Sequence, residues 1–199
     1  MHDEGYIKFC VHHSVDQPPR APGLEPIIRV RNALHASGLI GVLPDGIGFG
    51  NISLRDGSGF IVSASATGAV AIAGAGHFCR VERFDIETNT VWCRGPLRAS
   101  SESMSHGAVY RVSPGIHAVI HIHDSSIWRM MLQDGSLSTP PEAEFGTPEL
   151  ARSIMATIAG SDAFTLVLAG HEDGVLVGAA NPDAALALVT ELVRKASPS

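Results

Sequence analysis

The sequence has no basic run, few charged residues and no unbroken apolar stretch long enough to cross a bilayer, and each absence removes a class of function. Charged residues fill 17% of the 199 positions, and 14 Lys and Arg against 20 Asp and Glu leave a net charge of −6. Without clustered cations the chain cannot neutralise nucleic-acid phosphates or dock on an anionic lipid surface. No nucleic-acid or membrane partner is therefore expected, and small molecules are. The most apolar stretch, residues 60–76, is interrupted by Ser63, Ser65 and Thr67, and it falls short of the about 20 residues that a spanning helix needs. Cysteine is scarce. Cys10, Cys79 and Cys93 are odd in number and form no C-x-x-C, which argues against a disulfide framework or a thiolate zinc knuckle and for a reducing compartment. The opening MHDEGYIKF carries acids where an export signal carries basic residues, so a cytoplasmic location is expected.

What is present predicts one globular unit. A chain of 199 residues that is 45% hydrophobic can bury a full core. Pro18, Pro19, Pro22 and Pro26 predict an irregular arm over 1–26, leaving 27–199 as a single domain. Ile27, Ile28, Val30 and Leu34 fall at helical spacing, with Gly38 as the stop. Strands are predicted over 51–55 and 59–63 across Asp56-Gly57-Ser58, and over 81–86 and 90–93 across Glu87-Thr88-Asn89. Ser100 or Ser101 can cap a helix running to Arg111. AVIHIH (118–123) reads as a buried strand. Thr147-Pro148-Glu149 and Asn181-Pro182-Asp183 each open a helix, the first ending near Ala159. Strands over 165–169 and 175–178 lie between those two helices.

Histidine is the compositional excess, with ten in the chain. His121 and His123 lie two apart on a strand, so both side chains leave one face with Cα atoms roughly 6.5 Å apart, close enough to share an ion. Chance alone gives an expected count of roughly half such a pair in a chain this rich in histidine, and two sheet histidines bonded to neighbours are the plain alternative. His171 follows a strand end between Gly170 and Gly174, which let backbone approach closely; it is either a third ligand or a surface turn residue. Glu102 is expected in the first turn of a helix, where its charge suits the dipole whatever else it does. Ser100 and Ser101 beside it could hold a phosphate or carboxylate, or could simply cap. Asn51, Ser65, Thr67 and Gly68 are either turn residues or the second wall of an anion pocket.

Six blocks in order, GFGNISLR (48–55), SASATG (63–68), ASSES (99–103), AVIHIH (118–123), FGTPEL (145–150) and GHEDGVLVG (170–178), resemble the class II aldolase/adducin family. The resemblance implies a three-layer α/β/α fold on a central, largely antiparallel sheet, commonly a homotetramer with its site at a subunit boundary. It also implies a divalent metal, usually Zn2+, with Mn2+ or Co2+ as substitutes. Carried over, His121, His123 and His171 match the histidine ligands, and Glu102 matches the acid that can both ligate the metal and act as base. Asn51, Gly68, Ser100 and Ser101 match the cradle for the substrate phosphate.

The chain departs from the family pattern in three places. The T-P-T-G or T-P-S-G loop appears as SASATG without its proline. The stretch between His123 and Phe145 is short, and the tyrosine it normally supplies as proton donor is missing, the only tyrosines being Tyr6 and Tyr110. The late motif reads H-E-D-G. With that tyrosine gone, Glu102 or Asp124 must carry the proton. The expected activity is a metal-dependent lyase using enediolate chemistry, most simply aldol cleavage of a small phosphorylated sugar-like substrate. Decarboxylation, epimerisation, dehydration and a non-catalytic adducin-like interaction module are the alternatives.

Overall fold

The computed structural model describes residues 8–197. Along the chain run β1 (Cys10–Val15), α1 (Leu24–Ala36), β2 (Gly41–Val42), β3 (Gly48–Phe49), β4 (Asn51–Asp56), β5 (Gly59–Ser63), β6 (Phe78–Asp85) and β7 (Thr90–Gly95). Then follow α2 (Ser103–Val112), β8 (Ala118–His123), α3 (Ser125–Gln133), α4 (Pro148–Ile158), β9 (Phe164–Val167), β10 (Gly174–Ala179) and α5 (Pro182–Ala196). Eight strands form one sheet in the order β1-β7-β6-β5-β4-β8-β10-β9, and β2 and β3 pair as a separate small ribbon. Only β1 with β7 is parallel; every other neighbouring pair in the large sheet is antiparallel.

Local chemistry explains most of the elements. Gly57 takes φ +60 in the tight β4–β5 turn, a conformation that costs glycine little. Asp85 Oδ1 accepts from the Glu87 and Thr88 N–H groups to start the next turn. Thr147 and Asn181 cap α4 and α5 through the Leu150 and Ala184 N–H groups, each with proline at the first helical position. Gly38 lies at φ +73 just beyond α1, the left-handed stop its position predicts.

The sheet buries a different apolar layer on each face. Ile27, Val30 and Leu34 of α1, with Ile127 and Met131 of α3 and Val189 of α5, cover Ile52, Ile120, Ile122 and Val175. On the other face Met104 and Val109 of α2 and Ile154 of α4 cover Phe60, Val119 and Leu176. Strand alternation therefore turns Ile120 and Ile122 to one layer and sends His121, in step with Val119, to the other. Helices on both faces of a mostly antiparallel sheet are the three layers that the family resemblance implies.

Three expectations need correction. Residues 10–15 are not irregular but form β1 at the sheet edge; the strand has no fully buried residue, and its half-buried face joins Val11 to the polar His13, so no apolar alternation shows. Helix α1 begins at Leu24, three residues early, since proline at 26 is tolerated in a first turn. Helix α3 was not anticipated, although Ile127 and Met131 give it an i, i+4 apolar pair. The first seven residues of the arm, Tyr6 among them, lie outside the described residues. Among the described residues no helix is long and apolar enough to cross a membrane.

Ile120 is fully buried and Ile72 is 84% exposed. Ile120→Ala is expected to lower unfolding free energy by about 2–5 kcal/mol, and Ile72→Ala by less than about 0.5 kcal/mol, as measured by urea denaturation.

Candidate metal centre

The register of β8 builds the site. Asn51 of β4 lies opposite His121 on one side, and Leu176 of β10 lies opposite it on the other. His123 pairs with Gly174, where a side chain would meet the His171 ring at 3.1 Å and the His121 ring at 3.2 Å. Glycine there is what lets the β9–β10 turn close over the strand. That turn carries His171 over β8, its N–H bonded to the Leu168 carbonyl at 3.0 Å and its carbonyl to the Gly174 N–H at 2.9 Å.

The three histidines converge. One ligand atom from each of His121, His123 and His171 lies within 4.8 Å of the others. The Nε2 atoms of His121 and His123 are 2.9 Å apart, a separation at which two lone pairs need a proton or cation between them. His121 Nδ1 lies 3.2 Å from the Val175 carbonyl. That oxygen can only accept, so Nδ1 carries the hydrogen and Nε2 is left as the donor atom for an ion. His121 is 1% exposed; burial first, then the charges of His123 and His171, hold its pKa well below the ordinary imidazole value. A neutral ring is the form that ligates. The Phe145 ring lies 5.1 Å from His171, tilted by 32°, and Phe49 lies 5.7 Å from His123, so aromatic walls flank the nitrogens.

Glu102 is buried beside the triad, its Oε1 3.9 Å from His171 Nδ1. Ser105 Oγ donates to Oε2 at 2.8 Å, while Oε1 has no hydrogen-bond partner. A buried carboxylate oxygen without a donor is costly, and a cation among the histidines would relieve it. The donor set, three imidazoles with a carboxylate at the edge, fits a zinc-like ion. Glu102 stands outside the converging histidine group, and it is the N-cap residue of α2 instead of a first-turn residue. Asp124 is differently engaged: its Oδ1 accepts from the Ser126 and Ile127 N–H groups as the N-cap of α3.

A recess of about 30 Å³, bounded by Asn51, Ser100, Glu102 and the three histidines, is of the size of an ion or a water-sized group. A cavity of about 290 Å³ adjoins it, lined by Ser65, Thr67, Gly68, Ser100 and Ser101 among others. Asn51 Nδ2 donates to Ser100 Oγ at 3.0 Å, and Asn51 Oδ1 is buried without a partner. On the opposite side a cleft of about 760 Å³ opens past His123, His171 and Phe145. Every site residue singled out in the sequence therefore borders one connected region.

A buried polar seam beneath the site escaped the sequence reading. Ser53 Oγ lies 2.6 Å from His106 Nδ1 and 2.7 Å from Tyr110 Oη. Glu102, His106 and Tyr110 recur every four residues, the spacing that puts them on one face of α2, and that spacing was the available signal. Tyr110 is thereby committed to the interior, with burial raising its pKa.

Residues 45–197 match the family model of the Class II Aldolase and Adducin N-terminal domain. No curated protein matches the chain in sequence. Among solved structures, YgbL from Klebsiella pneumoniae, described as a candidate aldolase/epimerase/decarboxylase, is similar at a TM-score of 0.67 and 18% identity over 87% of this chain and 86% of that one. The L-fuculose-1-phosphate aldolase from Thermus thermophilus gives 0.62 at 23% identity over 89% and 93%. A sugar-phosphate aldolase from Thermotoga maritima gives 0.63 at 16% identity over 87% and 91%. At these identities the likeness is one of fold.

Burial of His106 lowers its pKa to about 3, so it stays neutral in the folded protein while the unfolded chain takes up a proton below about 6.5. Stability is then fully present above pH 6.5 and is lost as pH falls toward 3. Between pH 7.5 and 5 this one residue should remove about 2 kcal/mol of unfolding free energy. Urea denaturation at the two pH values should show that loss, and His106→Gln should show a smaller one.

Proposed function

Because the chain belongs to the class II aldolase and adducin family, we propose that it is a metal-dependent carbon–carbon lyase that cleaves a small phosphorylated sugar-like substrate by enediolate chemistry. The observation that carries this reading is the convergence of three histidine nitrogens beside the unpartnered, buried Oε1 of Glu102. His121, His123 and His171 hold a divalent ion, Zn2+ by the chemistry of the donor set, with Mn2+ or Co2+ able to replace it. When bound, the ion supplies a Lewis acid that stabilises negative charge developing on substrate oxygen.

The remaining work falls to the chain. Glu102 Oε1 accepts and returns the proton at the substrate's α-carbon, and Ser105, bonded to Oε2, fixes which oxygen faces the substrate. Asp124 is less suited, since its Oδ1 caps α3 and those bonds hold the carboxylate at the helix start. Asn51, Gly68, Ser100 and Ser101 hold the phosphate through hydroxyl, amide and backbone donors. Phe49 and Phe145 exclude water around the histidines and so strengthen each charge interaction. The family builds its site between subunits, and we read the protein as a cytoplasmic homo-oligomer, a tetramer in the family's common form, whose one domain takes in β1 and α1 of the N-terminal segment. Decarboxylation, epimerisation and dehydration use the same residues. A non-catalytic interaction module is favoured by one observation, that Tyr110 is the only described tyrosine and is buried against Ser53.

Protein purified without chelators should contain about one divalent ion per chain by elemental analysis. The His121→Ala/His123→Ala protein should contain almost none; undiminished zinc uptake would remove the metal assignment. Glu102→Gln should fold and retain metal yet exchange the substrate α-proton with solvent deuterium about 10²–10⁴-fold more slowly. A metal-replete Glu102→Gln protein with the parent's exchange rate would leave Glu102 structural only.

A further inference from the structure

Arg31 of α1 is 1% exposed, and an arginine so placed ordinarily has a carboxylate against it. Here the acceptors are all uncharged. Nη2 donates to the Thr67 carbonyl at 2.7 Å; Nη1 donates to the Val70 carbonyl and, at 3.4 Å each, to the Ala71 carbonyl and Asn32 Oδ1. No described acid forms an ion pair with it. Burial lowers its pKa, but a guanidinium remains protonated at physiological pH. A full positive charge thus sits in the interior with only carbonyl dipoles around it.

Its position gives that charge a use. Arg31 lines the same cavity as Ser65, Thr67, Gly68, Ser100 and Ser101. The carbonyls it holds belong to the loop after β5, the SASATG segment and its continuation. That loop is pressed against the β2–β3 ribbon, since a Cβ on Gly68 would lie 2.2 Å from the Gly41 carbonyl oxygen. In a loop without proline, the guanidinium takes over part of the stiffening and also sets a cation behind the wall. The attraction between that cation and a bound group grows in proportion to the group's charge. Neutral hydroxyls alone would hold a carboxylate and a phosphate with less distinction.

Resting on the anion-pocket reading above, we propose that Arg31 is a positioning and specificity residue whose uncompensated buried charge makes this cavity select a doubly charged phosphate monoester over a carboxylate or hydroxyl end group. The test compares 2-phosphoglycolate with glycolate, which share the end that would face the ion and differ in the phosphate. Titration calorimetry on the metal-containing protein gives the affinity ratio of the two ligands, and metal content is measured for every variant. In the parent protein the ratio should be large. Arg31→Gln should lower it about 10–100-fold, the usual weight of a charged partner, and Arg31→Lys, which restores charge but cannot span three carbonyls, should keep it within about 3-fold of the parent.

Equal loss in Arg31→Gln and Arg31→Lys would reduce Arg31 to a backbone prop and overturn the proposal. An unchanged ratio in both would also overturn it; if Ser100→Ala/Ser101→Ala still lowers the ratio in that case, the anion pocket itself survives. A parent protein without preference for phosphoglycolate overturns both the proposal and the phosphate part of the functional reading, while metal content separately decides the ion. Should Arg31→Gln fail to fold, Arg31→Lys decides alone: a retained ratio supports the charge, and a full loss excludes it.

Discussion

The alternation of β8 between its two antiparallel neighbours is the constraint on which the site depends. Ile120 and Ile122 are sealed into one apolar layer, and that seal fixes the opposite face, where His121 and His123 emerge. A slip of one residue would drive both imidazoles into the core and both isoleucines toward the recess. Pairing with β4 on one side and β10 on the other prevents the slip. The same pairing delivers Asn51 and the His171 turn to the ends of the histidine row.

The site is thereby surrounded by interior, and its electrostatics follow from that. A neutral His121 is favoured because its charged imidazole would lose its hydration. The Glu102 carboxylate and the Arg31 guanidinium are both buried, each lining one of the two cavities that share Ser100 and Ser101. One charge lies beside the histidines, where a cation would relieve it, and the other lines the hydroxyl-bearing cavity, where an anion would relieve it. A substrate with an oxygenated carbon at one end and a phosphate at the other would meet both needs. The seam of Ser53, His106 and Tyr110 ties α2 to β4 through the Ser53 hydroxyl, while His106 Nε2 is buried without a hydrogen-bond partner.

Local chemistry made much of this legible in the sequence. Turn residues at Gly57, caps at Thr147 and Asn181, and the apolar periods of AVIHIH and of α1 act within a few residues, so their outcome is written where they occur. The histidine pair was readable for the same reason, because a two-residue spacing on a strand fixes a shared face. The contribution of His171 and Glu102 was readable only through family resemblance, since nothing local to either residue points to the other. Strand β1 and helix α3 were not readable: β1 has no fully buried position and sets His13 beside Val11 on its half-buried face, so no apolar alternation forms, and a helix of nine residues gives too few turns for its period to stand out.

By itself, then, the sequence determined most of the strands and helices, the shared face of His121 and His123, and the family, because these depend on spacing and order along the chain. Only the tertiary structure decided that His171 reaches that pair, that Glu102 Oε1 is left without a donor while Asp124 is spent on a helix cap, and that Arg31 is buried behind the SASATG loop without an acid. Those outcomes rest on residues from separate elements sharing one enclosed volume. The desolvation and pairing that set their chemistry exist only once the elements have packed.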